Sequence, residues 1–229
     1  MRQERAERTR YALTLAAAKL FDQVGVERAT LSEVSRTAAV SKGALSFHFQ
    51  SKADLAVTVQ QLACQHAEQR VEELRARDLP ALQTLIDLSH LVAHQLTHDY
   101  IVRAWREVAE HQRESDCSVS PTLHLFHNWQ RRFVEVAVEA QQDHSLRPDT
   151  DPRTTAHTAL SLSAGQQILQ GDPVAGVRAR LTEAWELILP SLVAPLSPWP
   201  LRAQGSEDSF GAGLGDDPLP LVPAARRAS

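Results

Sequence analysis

Small and polar side chains are concentrated between Ser41 and His48. The Ser41 hydroxyl can accept a hydrogen bond from a backbone amide and so begin a short helix. At the start of that helix the exposed amides, the positive end of the helix dipole and the Lys42 ammonium group favour a phosphate. The small residues Gly43 and Ala44 allow the backbone to come close to base edges. We therefore predict that this segment contacts a nucleic acid.

A preceding short helix must hold this segment in place. Thr30-Leu31-Ser32-Glu33 has the pattern of a capping box, which predicts a helix over 31–38. A turn of only three residues separates it from the helix that Ser41 begins, and this spacing is typical of a helix-turn-helix. Val34 and Leu45 are apolar and can pack the two helices together. The second helix is then free to enter a major groove of DNA.

The remainder of the chain follows the helical period, and no alternating run indicates a strand. An amphipathic stretch over 5–24 predicts the first helix, which Gly25 ends. A long helix is expected from residue 52 to about 77. Later helices are expected at 80–97, 101–113, 122–143, 153–169 and 174–193, with prolines where these start or break. The predicted fold class is all-α, with about nine helices: a helix-turn-helix domain followed by a helical body.

The charge of the chain is unevenly distributed. Its 229 residues carry a net charge of -4, but residues 1–54 contain nine basic and six acidic side chains, a local charge of +3. A basic end on an acidic body favours a DNA contact confined to the N-terminus. No apolar run is long enough to cross a membrane, and the charged first residues do not look like a signal peptide. We expect a cytoplasmic protein without a membrane partner.

The composition divides the chain into three parts. Residues 1–50 form the predicted DNA-binding domain, and residues 51–194 form a helical domain for ligand binding and dimerisation. Residues 195–229 hold six of the 12 prolines and four of the nine glycines, without sustained periodicity. We predict that this tail is mostly disordered and that its removal after Pro195 leaves the dimer and the operator affinity unchanged.

The N-terminal motifs resemble the DNA-binding domain of the TetR family of bacterial repressors. The resemblance covers residues 5–60 and rests on three segments: Ala17-Ala18-Lys19-Leu20-Phe21-Asp22-x-x-Gly25-Val26, Thr30-Leu31-Ser32-Glu33-Val34, and Val40-Ser41-Lys42-Gly43-Ala44-Leu45-Ser46-Phe47-His48-Phe49-x-Ser51-Lys52. It implies a homodimer on a pseudo-palindromic operator. It also implies DNA contacts from one set of residues: Ser41, Lys42, Gly43, Ala44, Ser46, His48 and Lys52.

A narrower resemblance is to the γ-butyrolactone receptor branch of that family. It rests on the Lys-Gly-Ala-Leu-x-Phe-His-Phe form of the second helix, on Trp129, and on Ala-His-Thr at 156–158 leading to Gly165. The resemblance implies a repressor of antibiotic and other secondary-metabolite genes. A small autoregulator of butyrolactone, butenolide or furan type would release such a repressor from DNA.

Three residues depart from the family pattern. Ser46 stands where tyrosine is usual, which shortens one DNA-contacting side chain. Ala39 stands at the turn position usually held by glycine, and a positive φ there would cost about 1 kcal/mol. Ala63 stands where a glutamine often contacts the ligand. This last departure keeps an alternative open, namely a pseudo-receptor that senses an antibiotic or a biosynthetic intermediate.

The body of the chain is expected to hold a small-molecule pocket between helices. Trp129 offers a large apolar surface and one N–H donor, which suit a lactone ring and its carbonyl. Phe126 and Phe133 follow at helical spacing, although such residues also form ordinary cores. On a later helix, Ser161, Ser163 and Gln166 are candidate polar contacts. A solvated or locally bonded side chain is an equal alternative for each of these three.

Two other classes of function were weighed. His90, His94 and His98 recur every fourth residue, a spacing that metal ligands use, but no carboxylate or cysteine is placed to complete a site. We predict no metal and no cofactor. No nucleophile elbow or paired acid indicates an enzyme, so we also predict that the chain is not one.

Overall fold

The computed structural model describes residues 2–114, 122–166, 175–195, 197 and 199–206. All regular elements in these ranges are helices, as the sequence predicts, and an isolated bridge joins Leu146 to Val193. The helices are α1 (Arg2–Arg28), α2 (Leu31–Thr37), α3 (Lys42–His48), α4 (Lys52–Arg75), α5 (Ala81–His98), α6 (Tyr100–Glu114), α7 (Thr122–Gln142), α8 (Pro152–Gly165) and α9 (Ala175–Leu192).

Local hydrogen bonds set the boundaries of the first helices. Gly25 has a φ of 78° and interrupts the helical conformation of α1, at the position where the sequence predicts its end. The capping box of α2 is present: the Glu33 amide donates to Thr30 Oγ1 at 3.2 Å, and the Thr30 amide donates to Glu33 Oε2 at 3.0 Å. Ser41 caps α3 by accepting from the Ala44 amide at 3.2 Å. These predicted caps are confirmed.

The turn between α2 and α3 has a left-handed residue. Ala39 has a φ of 53°, a region where the Cβ of an L-residue approaches its own carbonyl oxygen. The Ala39 amide donates to Arg36 O at 3.1 Å, and the Val40 amide donates to Ser35 O at 2.9 Å, so the turn is held by its own backbone. The conformational strain expected from the alanine is therefore present in the fold.

The N-terminal helices rest on the body through α1, α4 and α6. Helix α1 packs along α6, and α4 contacts α1, α5, α6 and α7. Asp22 on α1 accepts two hydrogen bonds of 2.7 Å from the Arg103 guanidinium on α6, which also donates to Thr97 O at 2.8 Å. Helices α4 and α6 thereby connect the body to the N-terminal helices.

Residues 199–206, here called the C-terminal strap, are a packed segment within the tail that we predict to be mostly disordered. The strap packs on α5, where the Arg202 amide donates to Gln83 Oε1 at 2.7 Å and the Ser206 amide donates to Asp87 Oδ1 at 2.9 Å. His90 Nε2 donates to Ala203 O at 2.8 Å. The composition concealed this contact because backbone groups of Arg202, Ala203 and Ser206, with only the Ser206 hydroxyl beside them, bind polar residues of α5. Residues 207–229 of the predicted tail lie outside the described residues.

Candidate functional site

Helix α3 has one buried face and one exposed face. Leu45 is buried, and so is Phe49, the residue that follows the helix. Lys42, Gly43 and Ser46 are exposed on the opposite face. A Cβ added to Gly43 would meet nothing within 4 Å, so this part of the backbone is open to a large neighbour. Ala44 and His48 are half-buried at the edges of the same surface.

An exposed phenylalanine belongs to this surface, and our sequence analysis missed it. Phe47 is 81% exposed, and its ring lies 5.2 Å from that of His48 in an edge-to-face arrangement. The signal was available, because Phe47 lies midway between the buried Leu45 and Phe49 and so must point away from the core. An apolar ring at this position can contact a thymine methyl group in a major groove.

Lys52, which we predict to contact a phosphate, is already bonded to the protein. Its Nζ donates to Glu27 O at 2.8 Å and to Ala29 O at 3.1 Å. A cation at the end of a helix bonds free carbonyls and opposes the helix dipole. Lys52 therefore stabilises the end of α1, and only its third N–H remains for DNA.

An aromatic cluster joins α6 to α7. The Phe126 ring lies between two tryptophans, with centroids 5.6 Å from Trp105 and 5.4 Å from Trp129, and both pairs are edge-to-face. The two tryptophans are each 1% exposed. Trp129 and Phe126 are predicted from the sequence, whereas Trp105 is not, because only the packing of α6 against α7 brings it into the cluster.

The indole N–H groups of this cluster have no hydrogen-bond partner. Trp105 Nε1 and Trp129 Nε1 are both buried and unpaired. The equally buried Trp185 differs, since its Nε1 donates to Ser89 Oγ at 2.7 Å. An unpaired buried donor costs about 1–3 kcal/mol. The cluster thus contains two donors that an acceptor from a ligand would satisfy.

The remaining candidate ligand contacts from the sequence have other surroundings. Phe133 is fully buried in the core, and Ser161 is exposed on α8, so it does not line a buried pocket in this chain. Ser163 Oγ donates to Ala159 O of its own helix at 2.8 Å. Gln166 is buried, and its Oε1 accepts from Arg180 Nε at 3.1 Å. Hydrogen bonds within the protein thus already use polar groups of Ser163 and Gln166.

The three spaced histidines of α5 do not converge on one point. His90 binds the strap, and burial lowers the pKa of its imidazole, which favours the neutral ring. The rings of His94 and His98 stack with centroids 4.6 Å apart. No group of three or more metal-ligating side chains occurs among the described residues.

Ion pairs connect α7 to α4 one turn from Trp129. The Arg132 guanidinium on α7 donates to Glu68 and Glu72 of α4 and to Glu135 of its own helix. The hydrogen bond to Glu68 raises the pKa of Arg132 above its ordinary value. Burial alone would raise the pKa of Glu135, but Arg132 and Arg131 hold it below its ordinary value. Helix α7 is therefore tied to the helix that leads to the DNA-binding surface.

Comparison with known proteins agrees with this arrangement. A family model described as bacterial regulatory proteins of the tetR family matches residues 13–59. The A-factor receptor protein of Streptomyces griseus is 30% identical over 196 residues, which are 85% of this chain and 67% of the receptor. The crystal structure of a γ-butyrolactone receptor, an ArpA-like protein, has a TM-score of 0.65 at 30% identity and covers 84% of this chain and 91% of its own.

A third relative has been solved on DNA. CprB from Streptomyces coelicolor in complex with its biological operator sequence has a TM-score of 0.59 at 28% identity, covering 83% of this chain and 91% of its own. The chain belongs to the TetR family of DNA-binding transcriptional repressors, in the γ-butyrolactone receptor branch. These relatives are regulators rather than enzymes. None of the described helices is long and apolar enough to span a membrane.

Proposed function

We propose that the chain is a homodimeric repressor that a small autoregulator of γ-butyrolactone, butenolide or furan type releases from a pseudo-palindromic operator. Its targets would be genes of antibiotic or other secondary metabolism. The observation that carries the proposal is the pair of buried, unpaired indole donors at Trp105 and Trp129. The indole N–H of the equally buried Trp185 has a hydrogen-bond acceptor, Ser89 Oγ. The unpaired donors of Trp105 and Trp129 are therefore best explained by an acceptor that a ligand brings.

The exposed face of α3 would occupy a major groove. Lys42 would bind a phosphate, the open backbone at Gly43 would approach the bases, and Phe47 would contact a thymine methyl group. In a two-fold dimer the two copies of α3 would enter successive grooves about 34–36 Å apart. The operator would then have two inverted half-sites.

The surface available for dimerisation lies on α8 and α9. Leu187 of α9 is 81% exposed, and Leu160, Leu162 and Ile188 are partly exposed on the two helices. Apolar side chains exposed on two adjacent helices favour association with the same helices of a second copy. The second copy would cover them by forming a four-helix bundle.

Ligand binding at the aromatic cluster would act through α7 and α4. A lactone carbonyl bonded to Trp129 would shift α7, and Arg132 would carry that shift to Glu68 and Glu72 on α4. To move the population from 99:1 to 1:99, the ligand must favour the released state by about 5.5 kcal/mol. Release by a ligand therefore requires a pocket whose shape differs between the DNA-bound state and the released state.

A pair of tryptophan variants tests the proposal. Trp129→Phe removes the unpaired donor, so we expect unchanged operator affinity but a roughly five- to tenfold higher half-release concentration of an acylated γ-butyrolactone, the loss of about one hydrogen bond. Trp185→Phe is the matched control. It leaves Ser89 without its indole partner, so thermal stability should fall while release is unchanged. Release of Trp129→Phe at the wild-type concentration would contradict the proposed pocket.

The pseudo-receptor alternative is favoured by one residue. Ala63 is fully buried on α4 and has no polar group to offer a ligand at the position where the family often has glutamine. Operator release by an antibiotic or its precursor, with no response to any γ-butyrolactone, would support this alternative.

A further inference from the structure

Gln95 on α5 is a buried amide without a partner. It is 2% exposed, and neither its Nε2 nor its Oε1 has a hydrogen bond. Three other buried glutamines among the described residues are satisfied: Gln60 by Gln112, Gln83 by Arg202, and Gln166 by Arg180. The contrast shows that the fold can satisfy a buried amide, and that it does not do so at Gln95.

An unpaired amide in this position weakens the isolated protein. Its two N–H donors and its carbonyl lose their water on folding and gain nothing in return, whereas a leucine of similar volume would lose nothing. Residues that break a packing rule without local compensation are found chiefly at functional sites. The amide of Gln95 is therefore a candidate ligand contact.

Gln95 and Trp105 lie on the two helices that meet at the corner between α5 and α6. Gln95 lies four residues before the corner residue Asp99, and Trp105 lies six residues after it, so the two are about 6 Å and about 9 Å along their helices from the corner. Asp99 holds the corner by accepting from the Ile101 amide at 2.9 Å. Helix α5 also packs against α7, which carries Trp129.

A second polar side chain of α5 lies beside Gln95. His98 follows three residues later on the same face of the helix, and both of its ring nitrogens are buried and unpaired. Unsatisfied polar atoms therefore occur on α5, α6 and α7. The indole nitrogens of Trp105 and Trp129 are pure donors, whereas the amide of Gln95 both donates and accepts.

We propose that Gln95 binds a hydroxyl group of the effector, separate from the carbonyl that the indole of Trp129 would bind. This inference rests on the proposed function and adds a second polar contact to it. A pure donor such as an indole N–H matches a carbonyl, which only accepts. An amide matches a hydroxyl, because each of them donates and accepts. The effector would thus be a largely apolar molecule with a carbonyl and a separate hydroxyl.

The test uses two probes and two variants. The probes are a hydroxylated acyl-γ-butyrolactone and the same compound without its hydroxyl, and the readout is the concentration that releases half of the operator. We expect the hydroxyl to improve release of the wild-type chain about tenfold and to give no improvement with Gln95→Leu. Thermal stability of Gln95→Leu should equal or exceed that of the wild type, because the variant removes unpaired atoms.

Gln83→Leu is the matched control on the same helix. It removes a satisfied amide that binds Arg202 of the strap, so it should lower thermal stability and leave the difference between the two probes unchanged. If the hydroxyl improves release of Gln95→Leu as much as of the wild type, the role of Gln95 is overturned while the proposed function stands. Destabilisation of Gln95→Leu to the extent of Gln83→Leu would also overturn it. If neither probe releases the wild-type chain, the proposed function fails, and the role of Gln95 fails with it.

Discussion

Replacing Ala39 with glycine should stabilise the protein, although glycine usually weakens folds. At its φ of 53°, Ala39 bears a left-handed strain of about 1–2 kcal/mol, which glycine does not have. Glycine also loses more conformational freedom on folding, at a cost of about 0.5–1 kcal/mol. The difference favours Ala39→Gly by about 0.5–1 kcal/mol. For a chain of this size the melting temperature should rise by about 1–4 °C.

The neighbouring alanine provides the control. Ala38 has a φ of -78° and a ψ of -4°, a conformation without strain, so Ala38→Gly should lower the melting temperature. Thermal unfolding followed by circular dichroism, at one protein concentration for all three chains, measures both effects. Operator affinity of Ala39→Gly should match that of the wild type, since the turn is held by its backbone. Equal destabilisation by the two glycines would refute the assignment of strain to Ala39.

Three further predictions concern the two ends of the chain and its response to acid. Lys42→Ala should weaken binding to many DNA sequences and reduce the slope of log affinity against log salt by about one unit, and an unchanged slope would exclude a phosphate contact. Lys52→Met should instead lower thermal stability, because it removes the side chain that caps the end of α1. Ending the chain after residue 198 should lower the melting temperature, because Asp87, 0% exposed under the strap, loses both of its Ser206 bonds; an unchanged melting temperature would mean that the strap contributes nothing. Burial opposes ionisation of Asp99, but His66 and the amides of α6 hold its pKa below the ordinary value, so its contribution is present at neutral pH and is lost as pH falls through that lowered pKa. The stability advantage of the wild type over Asp99→Asn should therefore narrow below about pH 4, and a constant difference would contradict this.

The helices and the N-terminal motif could be predicted because their signals are local. The capping box at Thr30, the cap at Ser41 and the stop at Gly25 each depend on residues within one helical turn, and the structure has all three. The strain at Ala39 could be anticipated only from the resemblance, because the family usually has glycine at this turn position, and the structure gives Ala39 a positive φ.

The contacts that were missed join residues far apart in the chain. The strap binds Gln83 from 119 residues away, through its backbone, which composition cannot reveal. Lys52 caps α1 from 23 and 25 residues away, so its spacing suggested only an exposed charge. Gln95 and Trp105 are ordinary residues in sequence, and their missing partners become apparent only when the surrounding helices are packed.

The unpaired indoles of Trp105 and Trp129 also give the protein its own optical reporter. Their rings, like that of Trp185, are enclosed in the core, whereas Trp199 is about half exposed, so we expect its emission to come from a more aqueous environment. A molecule that bonds to either enclosed ring alters its fluorescence without any added dye. Binding of an effector can thus be followed by intrinsic fluorescence in the absence of DNA. This measures effector binding separately from the release of the operator.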